Sequence, residues 1–349
     1  MNYQDLLVKE DLSLIDALHK LDETAQKVLF VVRDGKLAAA LTDGDIRRYI
    51  MRSGNLTASI SSMANYHPKY ISAHRRAEAE AMMRHELIFA MPVVDDSMRV
   101  VDVLLWNEEK PAAAREKLHV PVVINAGGKG TRLYPYTKIL PKPLIPIGEI
   151  PIAEHIINRF HQMGCDRFYM IVNEKKNMIK AYFNEIEKDY ALTFADEETA
   201  LGTGGGLRLL KTELDGPFIF ANCDTIIDLD FARIVEAHRE SGNTVTMICA
   251  TKTFTFPFGV VEAGANGVIQ ALKEKPRSTY LTNTGCYIVE PTVIDRIGEN
   301  EAIGFPSVVE RCMREGLRAG IYPISEQSWM DMGQFDTMQE MEKRLYHNE

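Results

Sequence analysis

A glycine-rich loop directly after a buried strand is the feature that most constrains how this chain folds. The segment VPVVINAGGKGTRLYPYTKILPKPLIPIGEIP runs from Val120 to Pro151, and its opening apolar run predicts a buried strand. Glycines let successive backbone N–H groups converge on an oxyanion, and a guanidinium adds a forked, permanently charged donor. The sequence therefore predicts a phosphate-binding loop formed by Gly127, Gly128, Lys129, Gly130, Thr131 and Arg132.

Spacing excludes two common phosphate loops. A dinucleotide fingerprint needs a third glycine where Leu133 stands, and the chain contains no GxxxxGK[ST] sequence. A nicotinamide oxidoreductase is therefore disfavoured, because it needs that fingerprint and a ribose-binding acid at the expected distance. The other interpretation is a glycine turn with a solvated Lys129 and Arg132, and the basic PKP sequence at 141–143 weighs against it.

The loop and the following LPKPLIPIGEIPI resemble the signature of the sugar-1-phosphate nucleotidyltransferases, which make nucleoside-diphosphate sugars. The resemblance extends over roughly two thirds of the chain, from Val120 onward. Further similar segments follow in order at Leu201–Leu207, Asn222–Asp224, Glu274–Pro276, Asn283–Gly285 and Trp329–Gly333.

Hydrophobic periodicity from Val120 alternates between strands and helices. Strands separated by helices of this length predict an α/β fold with a doubly wound, mostly parallel sheet, similar to a Rossmann fold. Ligands of such sheets bind off the carboxyl ends of the strands, where the glycine loop and Asp224 both fall. The predicted strands are 120–126, 167–172, 217–223 and 244–250, and the predicted helices are 152–163, 178–190 and 231–241.

The resemblance implies transfer of a nucleotidyl group, a reaction that needs no protein nucleophile. The phosphate of a sugar 1-phosphate can itself attack the α-phosphorus of a nucleoside triphosphate, so the protein supplies charge neutralisation and alignment. Catalytic roles are implied for Arg132, Lys142 and Asp224, and Asp224 and Asp331 are implied to bind Mg²⁺. This ion prefers one or two protein carboxylates plus substrate oxygens and water.

The remaining implied contacts divide between the nucleotide and the sugar. The triphosphate is assigned to the glycine loop, and the nucleobase to Leu201, Gly202 and Thr203, whose LGT sequence is similar to that of guanylyltransferases. GTP is therefore the expected donor, with UTP, CTP and dTTP as alternatives, and Asn125 and Cys223 depart from the usual small residues of the family. Sugar-phosphate contacts are implied for Gly259, Glu274, Lys275 and Asn283.

The first part of the chain, residues 1–106, contains an internal repeat. A helix, strand, turn and strand at 13–41 return 62 residues later, so that Val31 matches Val93 and Asp34 matches Asp96. A unit of this size cannot bury its sheet alone, so two copies are expected to pack as a pair. This order of helices and strands predicts an α+β domain pair. A polar linker at 107–119 joins the pair to the second part of the chain at 120–349.

This repeat resembles a pair of CBS domains, a module known as a nucleotide sensor. The sequence LTDGDIRR places Thr42 and Asp45 where that family holds the ribose and phosphate of an adenine or guanine nucleotide. The second copy has Leu104 and Asn107 at the same offset, so its cleft lacks these hydrogen-bonding groups. The alternative is a structural or dimerising domain in which Asp43 or Asp45 only caps a helix.

Composition limits the possible partners. The net charge of −9 argues against nucleic acid or an anionic membrane, and no apolar run approaches a membrane span. The acidic amphipathic start is unlike a signal peptide, so a cytoplasmic location is expected. The odd count of scattered cysteines predicts reduced core residues and not a zinc site.

Two function classes remain in view. The expected one is a sugar-1-phosphate guanylyltransferase that acts on glucosamine 1-phosphate or mannose 1-phosphate for surface-glycan or nonulosonic-acid biosynthesis, in a homo-oligomer. The alternative is a non-catalytic sensor that binds a sugar nucleotide or an adenine nucleotide. The joint presence of Asp224, Asp331, Arg132 and Lys275 favours the enzyme.

Overall fold

The protein is described by a computed structural model that covers residues 2–24, 26–86, 88–105, 117–333 and 335–346. Packing divides the chain into two compact units. The N-terminal unit comprises Met1–Ala114 and Thr251–Tyr280, and the C-terminal unit comprises Arg115–Ala250 and Leu281–Glu349. Most of the predicted linker at 107–119 lies outside the described residues. This includes Asn107, which was matched to Asp45 in the second copy of the repeat.

The N-terminal unit contains two small three-stranded sheets with the same topology. In each, the first strand pairs in parallel with the second, and the second pairs antiparallel with the third. The strands are β1 (Leu7–Lys9), β2 (Val28–Arg33), β3 (Lys36–Thr42), β4 (Ile71–Ser72), β5 (Ala90–Val94) and β6 (Val100–Leu105), and the helices are α1 (Leu14–Thr24), α2 (Asp43–Ser53) and α3 (Ala79–Glu86).

The internal repeat predicted from the sequence is confirmed by this topology. The register of β2 against β3 shifts between Val31 and Val32, and that of β5 against β6 shifts between Val93 and Val94, at the predicted offset of 62 residues. The two copies meet where the N–H of Leu37 donates to the carbonyl oxygen of Met98 at 2.9 Å. Each copy thus provides the other with a partner for its sheet.

The C-terminal unit is built around a seven-stranded sheet with the order β11-β10-β7-β12-β17-β14-β18. The first four strands in this order are parallel, and β17 pairs antiparallel with β12. The remaining strands, numbered along the chain, are β7 (Val122–Asn125), β8 (Pro146–Ile147), β9 (Ile150–Pro151), β10 (Arg167–Val172), β11 (Ala191–Asp196), β12 (Phe218–Asn222), β13 (Thr225–Ile227), β14 (Val245–Thr255), β15 (Val260–Ala263), β16 (Ile269–Lys273), β17 (Arg277–Val289), β18 (Ala319–Ser325) and β19 (Trp329–Asp331).

Helices cover the sheet because each presents an apolar face to it. Phe305 at the start of α8 packs against Phe220 of β12 and Tyr287 of β17, with ring centroids 4.8 and 4.5 Å apart. On α5, Phe160 meets Phe231 of α7 edge to face at 4.8 Å. The helices of this part are α4 (Tyr136–Ile139), α5 (Ile152–Gln162), α6 (Lys176–Glu185), α7 (Phe231–Ser241), α8 (Phe305–Arg314) and α9 (Phe335–Tyr346).

The predicted α/β class with a mostly parallel sheet is confirmed, with local differences. The helix predicted to reach residue 190 ends at Glu185, and the edge strand β11 follows where no strand was predicted. The predicted strand at 244–250 extends to Thr255 because it continues into the N-terminal unit. All five cysteines are free and buried, as predicted.

The last five residues of β14, 251–255, and the first four residues of β17, 277–280, belong to the N-terminal unit. Between them β15 and β16 form an antiparallel hairpin in which Val260 pairs with Lys273. Residues 251–280 thus belong by packing to the N-terminal unit, although they lie within the predicted second part at 120–349. None of the described helices is long and apolar enough to cross a membrane.

The capping box of α2 occupies the two residues predicted to bind a nucleotide in the first CBS copy. The N–H of Asp45 donates to Thr42 Oγ1 at 3.1 Å, and the N–H of Thr42 donates to Asp45 Oδ2 at 2.9 Å. Arg48 also pairs with Asp45 Oδ1 at 2.5 Å. The capping interpretation thus describes this structure, and nucleotide binding by the same residues stays a prediction.

We expect Thr42→Ala to lower the free energy of unfolding of the N-terminal unit by about 1 kcal/mol, because it removes the side-chain acceptor of the cap. Thr42→Ser keeps that acceptor and should retain most of the stability. Urea unfolding of the full-length chain measures both variants. Equal stability of Thr42→Ala and wild type would contradict the proposed cap.

Candidate active site

Two acids that are far apart in sequence lie side by side in the C-terminal unit. Strands β13 and β19 form a two-stranded antiparallel sheet in which Thr225 pairs with Asp331. The N–H of Met332 donates to the carbonyl oxygen of Asp224 at 2.9 Å, which extends the pairing by one step. The two acids implied as metal ligands, Asp224 and Asp331, are therefore neighbours.

Lys142 forms an ion pair with Asp224. Both side chains are largely buried, at 13% and 7% exposed, so the contact is shielded from water. Burial by itself disfavours the ammonium, but the neighbouring Cys223 and Asp224 outweigh it and raise the pKa of Lys142. The lysine between two prolines is thus charged and directed at the acid.

Arg132 approaches the same place from the glycine loop. A Cβ placed on Gly333 would lie 2.7 Å from Asp331 Oδ2 and 3.3 Å from a guanidinium nitrogen of Arg132. Gly333 therefore leaves the space that the acid and the arginine occupy. The structure brings together Arg132, Lys142, Asp224 and Asp331, which were assigned to the reaction from separate sequence segments.

The electrostatics of the site centre on its two carboxylates. Burial raises the pKa of Asp331, and the nearby charge of Asp224 raises it further. Lys142 and Arg132 oppose this effect without cancelling it. Since like charges at close range disfavour ionisation, this pair would be stabilised by a cation.

The donor set fits a magnesium ion. Among the described residues no group of three or more His, Cys, Asp or Glu side chains forms a metal cluster. Mg²⁺ is bound through one or two carboxylates plus substrate phosphates and water, and it does not need such a cluster. Asp224 and Asp331 could hold the ion with the substrates supplying the other oxygens.

The glycine loop packs against Lys142. Gly130 has φ of 63° in the left-handed region, and a Cβ there would lie 2.9 Å from Thr137 Cγ2 and 3.0 Å from Lys142 Cβ. Glycine is required for both reasons. Gly128 and Lys129 are exposed, so their backbone groups are accessible to a ligand.

The LGT loop is fixed against the start of α8. The hydroxyl of Thr203 accepts from the N–H of Phe305 at 3.0 Å, and the N–H of Ile303 donates to the carbonyl oxygen of Leu201 at 3.0 Å. Gly202 has φ of 76° and lies against the backbone of Ile303. The loop is therefore held against α8, and the Thr203 hydroxyl uses one of its two acceptor lone pairs for this contact.

Glu197, which the sequence analysis did not single out, joins the two loops. It is 3% exposed, and a Cβ placed on Gly127 would lie 2.7 Å from its Oε2. A Cβ on Gly206 would lie 2.5 Å from its Oε1, an atom with no hydrogen-bond partner among the described residues. Burial raises the pKa of Glu197, and the Leu201 N–H opposes the rise. A signal existed, since this acid directly follows strand β11.

Asn283, an implied sugar contact, lies at the site end of β17. Its Oδ1 accepts from the N–H of Gly285 at 2.9 Å, and its amide donates to the Tyr287 hydroxyl at 2.7 Å. The strand continues beside the segment that carries Asp224, because Thr225 Oγ1 donates to the carbonyl oxygen of Thr284 at 3.1 Å.

The other implied sugar contacts lie in the N-terminal unit. Gly259 and Glu274 face each other next to the β15–β16 hairpin, where a Cβ on Gly259 would lie 2.9 Å from Glu274 Oε2. Lys275 follows with φ of 43°. Packing thus separates these three residues from the unit that holds Asp224, and their role in binding sugar stays a prediction.

A family model described as nucleotidyl transferase matches residues 121–348, which include both carboxylates and both loops. The chain belongs to the nucleotidyl transferase family. A CBS domain model matches residues 1–52, the first copy of the N-terminal repeat.

Curated relatives of this nucleotidyl transferase have different nucleotides in their names. The UTP–glucose-1-phosphate uridylyltransferase of Synechocystis sp. is 34% identical over 237 residues, which cover 60% of this chain and 59% of that protein. The mannose-1-phosphate guanyltransferase of Candida albicans is 32% identical over 226 residues, covering 61% and 60%. The mannose-1-phosphate guanylyltransferase of Mycobacterium tuberculosis is 30% identical over 220 residues, covering 61% of each chain. This chain spans about three fifths of the length of these relatives.

Solved structures share the fold at lower identity. HddC from Yersinia pseudotuberculosis superposes with a TM-score of 0.51 at 20% identity, covering 65% of this chain and 99% of that one. A UDP-glucose pyrophosphorylase complexed with UDP-glucose gives a TM-score of 0.50 at 17% identity, covering 66% and 99%. The C-terminal sheet and its helices therefore have the same fold as these two proteins.

We expect Gly333→Ala to lower kcat/KM by about tenfold or more, because the new methyl group would displace Asp331 and Arg132 from their present positions. Gly216→Ala is the matched control, since a Cβ there meets nothing within 4 Å. Steady-state kinetics on both variants, with thermal melting to verify folding, tests the expectation. Full activity of Gly333→Ala would show that this close approach is not needed.

Proposed function

We propose that this protein transfers a nucleotidyl group from GTP to a sugar 1-phosphate and releases pyrophosphate. The observation that carries the proposal is the convergence of Asp224, Asp331, Lys142 and Arg132 beside the glycine loop. Two acids can hold a divalent cation, and two cationic side chains can neutralise phosphate. This combination of charges can stabilise a phosphoryl-transfer reaction. A glycine turn that only connects a strand to a helix would not need these four side chains to lie together.

In the proposed reaction an oxygen of the sugar phosphate forms a bond to the α-phosphorus of GTP. The bond from that phosphorus to the oxygen bridging the β-phosphate breaks, and pyrophosphate leaves with the electron pair. Mg²⁺ bound to Asp224 and Asp331 would supply charge neutralisation to both phosphates. Arg132 and the N–H groups of the glycine loop would hold the leaving pyrophosphate.

Lys142 has two candidate partners in this proposal. In the structure it neutralises Asp224, and a bound cation would take over that task. The ammonium could then bind a phosphate oxygen without crossing the site, because Gly130 lies against its side chain. Lysine serves such roles as a compact, flexible point charge.

Glu197 supports GTP as the donor. Guanine presents two adjacent N–H donors on its pairing edge, which match the two oxygens of a carboxylate. Uracil and thymine place a single N–H between two carbonyl oxygens, which a carboxylate repels. The unpartnered Oε1 of Glu197 lies beside Gly206, within the loop that the family resemblance assigns to the base.

The acceptor is proposed to be mannose 1-phosphate or glucosamine 1-phosphate. Several relatives are named as mannose-1-phosphate guanylyltransferases, and one is named for glucose 1-phosphate and UTP. Gly259, Glu274, Lys275 and Asn283 are the proposed sugar-phosphate contacts. Thr42 and Asp45 are the proposed contacts for a regulatory adenine or guanine nucleotide.

Pyrophosphate release tests the proposal. The protein is incubated with Mg²⁺ and each of GTP, UTP, CTP and dTTP, in combination with a panel of hexose 1-phosphates. Release with GTP and mannose or glucosamine 1-phosphate is the expected result. Release only with another triphosphate would overturn the guanylyl assignment, and binding without release from any pair would favour the sensor.

We expect Asp224→Asn to lower turnover by more than about 100-fold, because it removes a metal ligand without changing side-chain volume. Asp228→Asn is the matched control, since Asp228 is 65% exposed and pairs with Arg159 at the surface. Turnover at saturating Mg²⁺ is the measurement. A near-normal rate for Asp224→Asn would remove this acid from the site.

We expect Glu197→Gln to reduce the preference for GTP over ITP by about tenfold or more, because ITP lacks the guanine amino group. The preference in wild type should also fall with decreasing pH, since the carboxylate is lost below its raised pKa and retained above it. The readout is kcat/KM for both nucleotides across pH. An equal loss with both would mean that Glu197 only connects the two loops.

A further inference from the structure

Strands β14 and β17 belong to both packing units of the chain. The last five residues of β14, 251–255, and the first four of β17, 277–280, pack in the N-terminal unit. The rest of each strand lies in the seven-stranded sheet. Each strand is one continuous, nearly extended backbone segment, so each links the two units covalently.

A histidine of the N-terminal unit contacts β14 at the residue through which β14 contacts β17. Nε2 of His19, on helix α1, lies 3.0 Å from Thr253 Oγ1 on β14. The same Thr253 hydroxyl lies 2.7 Å from Thr279 Oγ1 on β17. All three side chains are partly buried, so the hydrogen bonds are shielded from competition with water.

The other end of β17 is fixed next to the metal carboxylates. Thr225 Oγ1 donates to the carbonyl oxygen of Thr284 at 3.1 Å. Gly285 packs so closely on Asn222 that a Cβ there would lie 2.3 Å from the amide nitrogen. Asn222 lies two residues before Asp224, and Thr225 directly follows it. The position of β17 therefore helps to set the position of this acid.

We propose that His19 is a positioning residue through which the N-terminal unit controls turnover at Asp224. His19 fixes the Thr253–Thr279 pair, and β17 carries that constraint to Thr284 and Gly285. A change in α1 would thus alter the alignment of the acid without touching the glycine loop. A change in the N-terminal unit is therefore expected to alter kcat and to leave the KM for GTP unchanged. This inference rests on the proposed function.

A double-mutant cycle with His19→Ala and Thr253→Val in the full-length chain tests the proposal. Each single variant should lower kcat by about two- to thirtyfold with the KM for GTP unchanged. The double variant should be no slower than the worse single variant, because both remove the same hydrogen bond. His19→Gln, which can still hydrogen-bond Thr253, should recover part of the rate, and His67→Ala should leave it unchanged.

Backbone amide hydrogen exchange provides a readout that does not depend on turnover. His19→Ala should speed exchange at residues 279–285 and 222–225, while residues 167–172 of β10 serve as the internal reference. If wild type releases no pyrophosphate from any triphosphate, the proposed function is wrong. Amide hydrogen exchange would still show whether His19 is coupled to the segment around Asp224. Unchanged exchange at 222–225, or multiplicative effects of the two variants on kcat, would overturn the role of His19.

Discussion

The pairing of two three-residue strands, β13 and β19, is the constraint on which the candidate site depends. It sets Thr225 opposite Asp331 and so places Asp331 next to Asp224. Two carboxylates in a partly buried place repel each other, and the raised pKa of Asp331 reflects both effects. Such an arrangement costs folding free energy, and it persists because the backbone of β12 and β13 holds Asp224 in the pairing.

The cations around the two acids make the site electrically balanced before any substrate arrives. Lys142 and Arg132 supply two positive charges against the two carboxylates, with Lys142 in direct contact with Asp224. A divalent cation alone would therefore have to displace Lys142 and leave an excess of positive charge. A cation that arrives with a triphosphate avoids that excess, since the phosphates give Lys142 and Arg132 new partners. The charge pattern favours joint binding of metal and nucleotide.

Much of the fold follows from local sequence patterns. The bounds of β10 and α7 agree with the prediction because each is a strongly periodic or continuously apolar run with clear breaks at both ends. Strand β11 was missed because ALTFAD lies at a sheet edge, has only one buried residue among its six and directly follows a helical pattern. The antiparallel direction of β17 within the sheet was also not predictable, since an apolar run carries no information about strand direction.

Part of the site, Asp331 above all, was predictable only through family resemblance. Asp331 lies in a strand of three residues, too short for periodicity, and its partner strand is set by tertiary packing and not by neighbouring sequence. Glu197 was missed together with β11. An acid at a strand end is a candidate site residue only when the strand itself has been predicted. Asp224 was found by that same pattern, since β12 is fully apolar up to Asn222.

Glu197 also connects the glycine loop with the LGT loop. Gly127 and Gly206 both leave room for its carboxylate, so a shift of either loop would change the contacts of the other. A buried carboxylate oxygen without a hydrogen-bond donor is costly, and such costs are retained where a ligand can supply the donor. A base that donates to Glu197 would lower that cost and at the same time fix the glycine loop, which is proposed to hold the phosphates of the same nucleotide. Base recognition and phosphate alignment would then share one side chain.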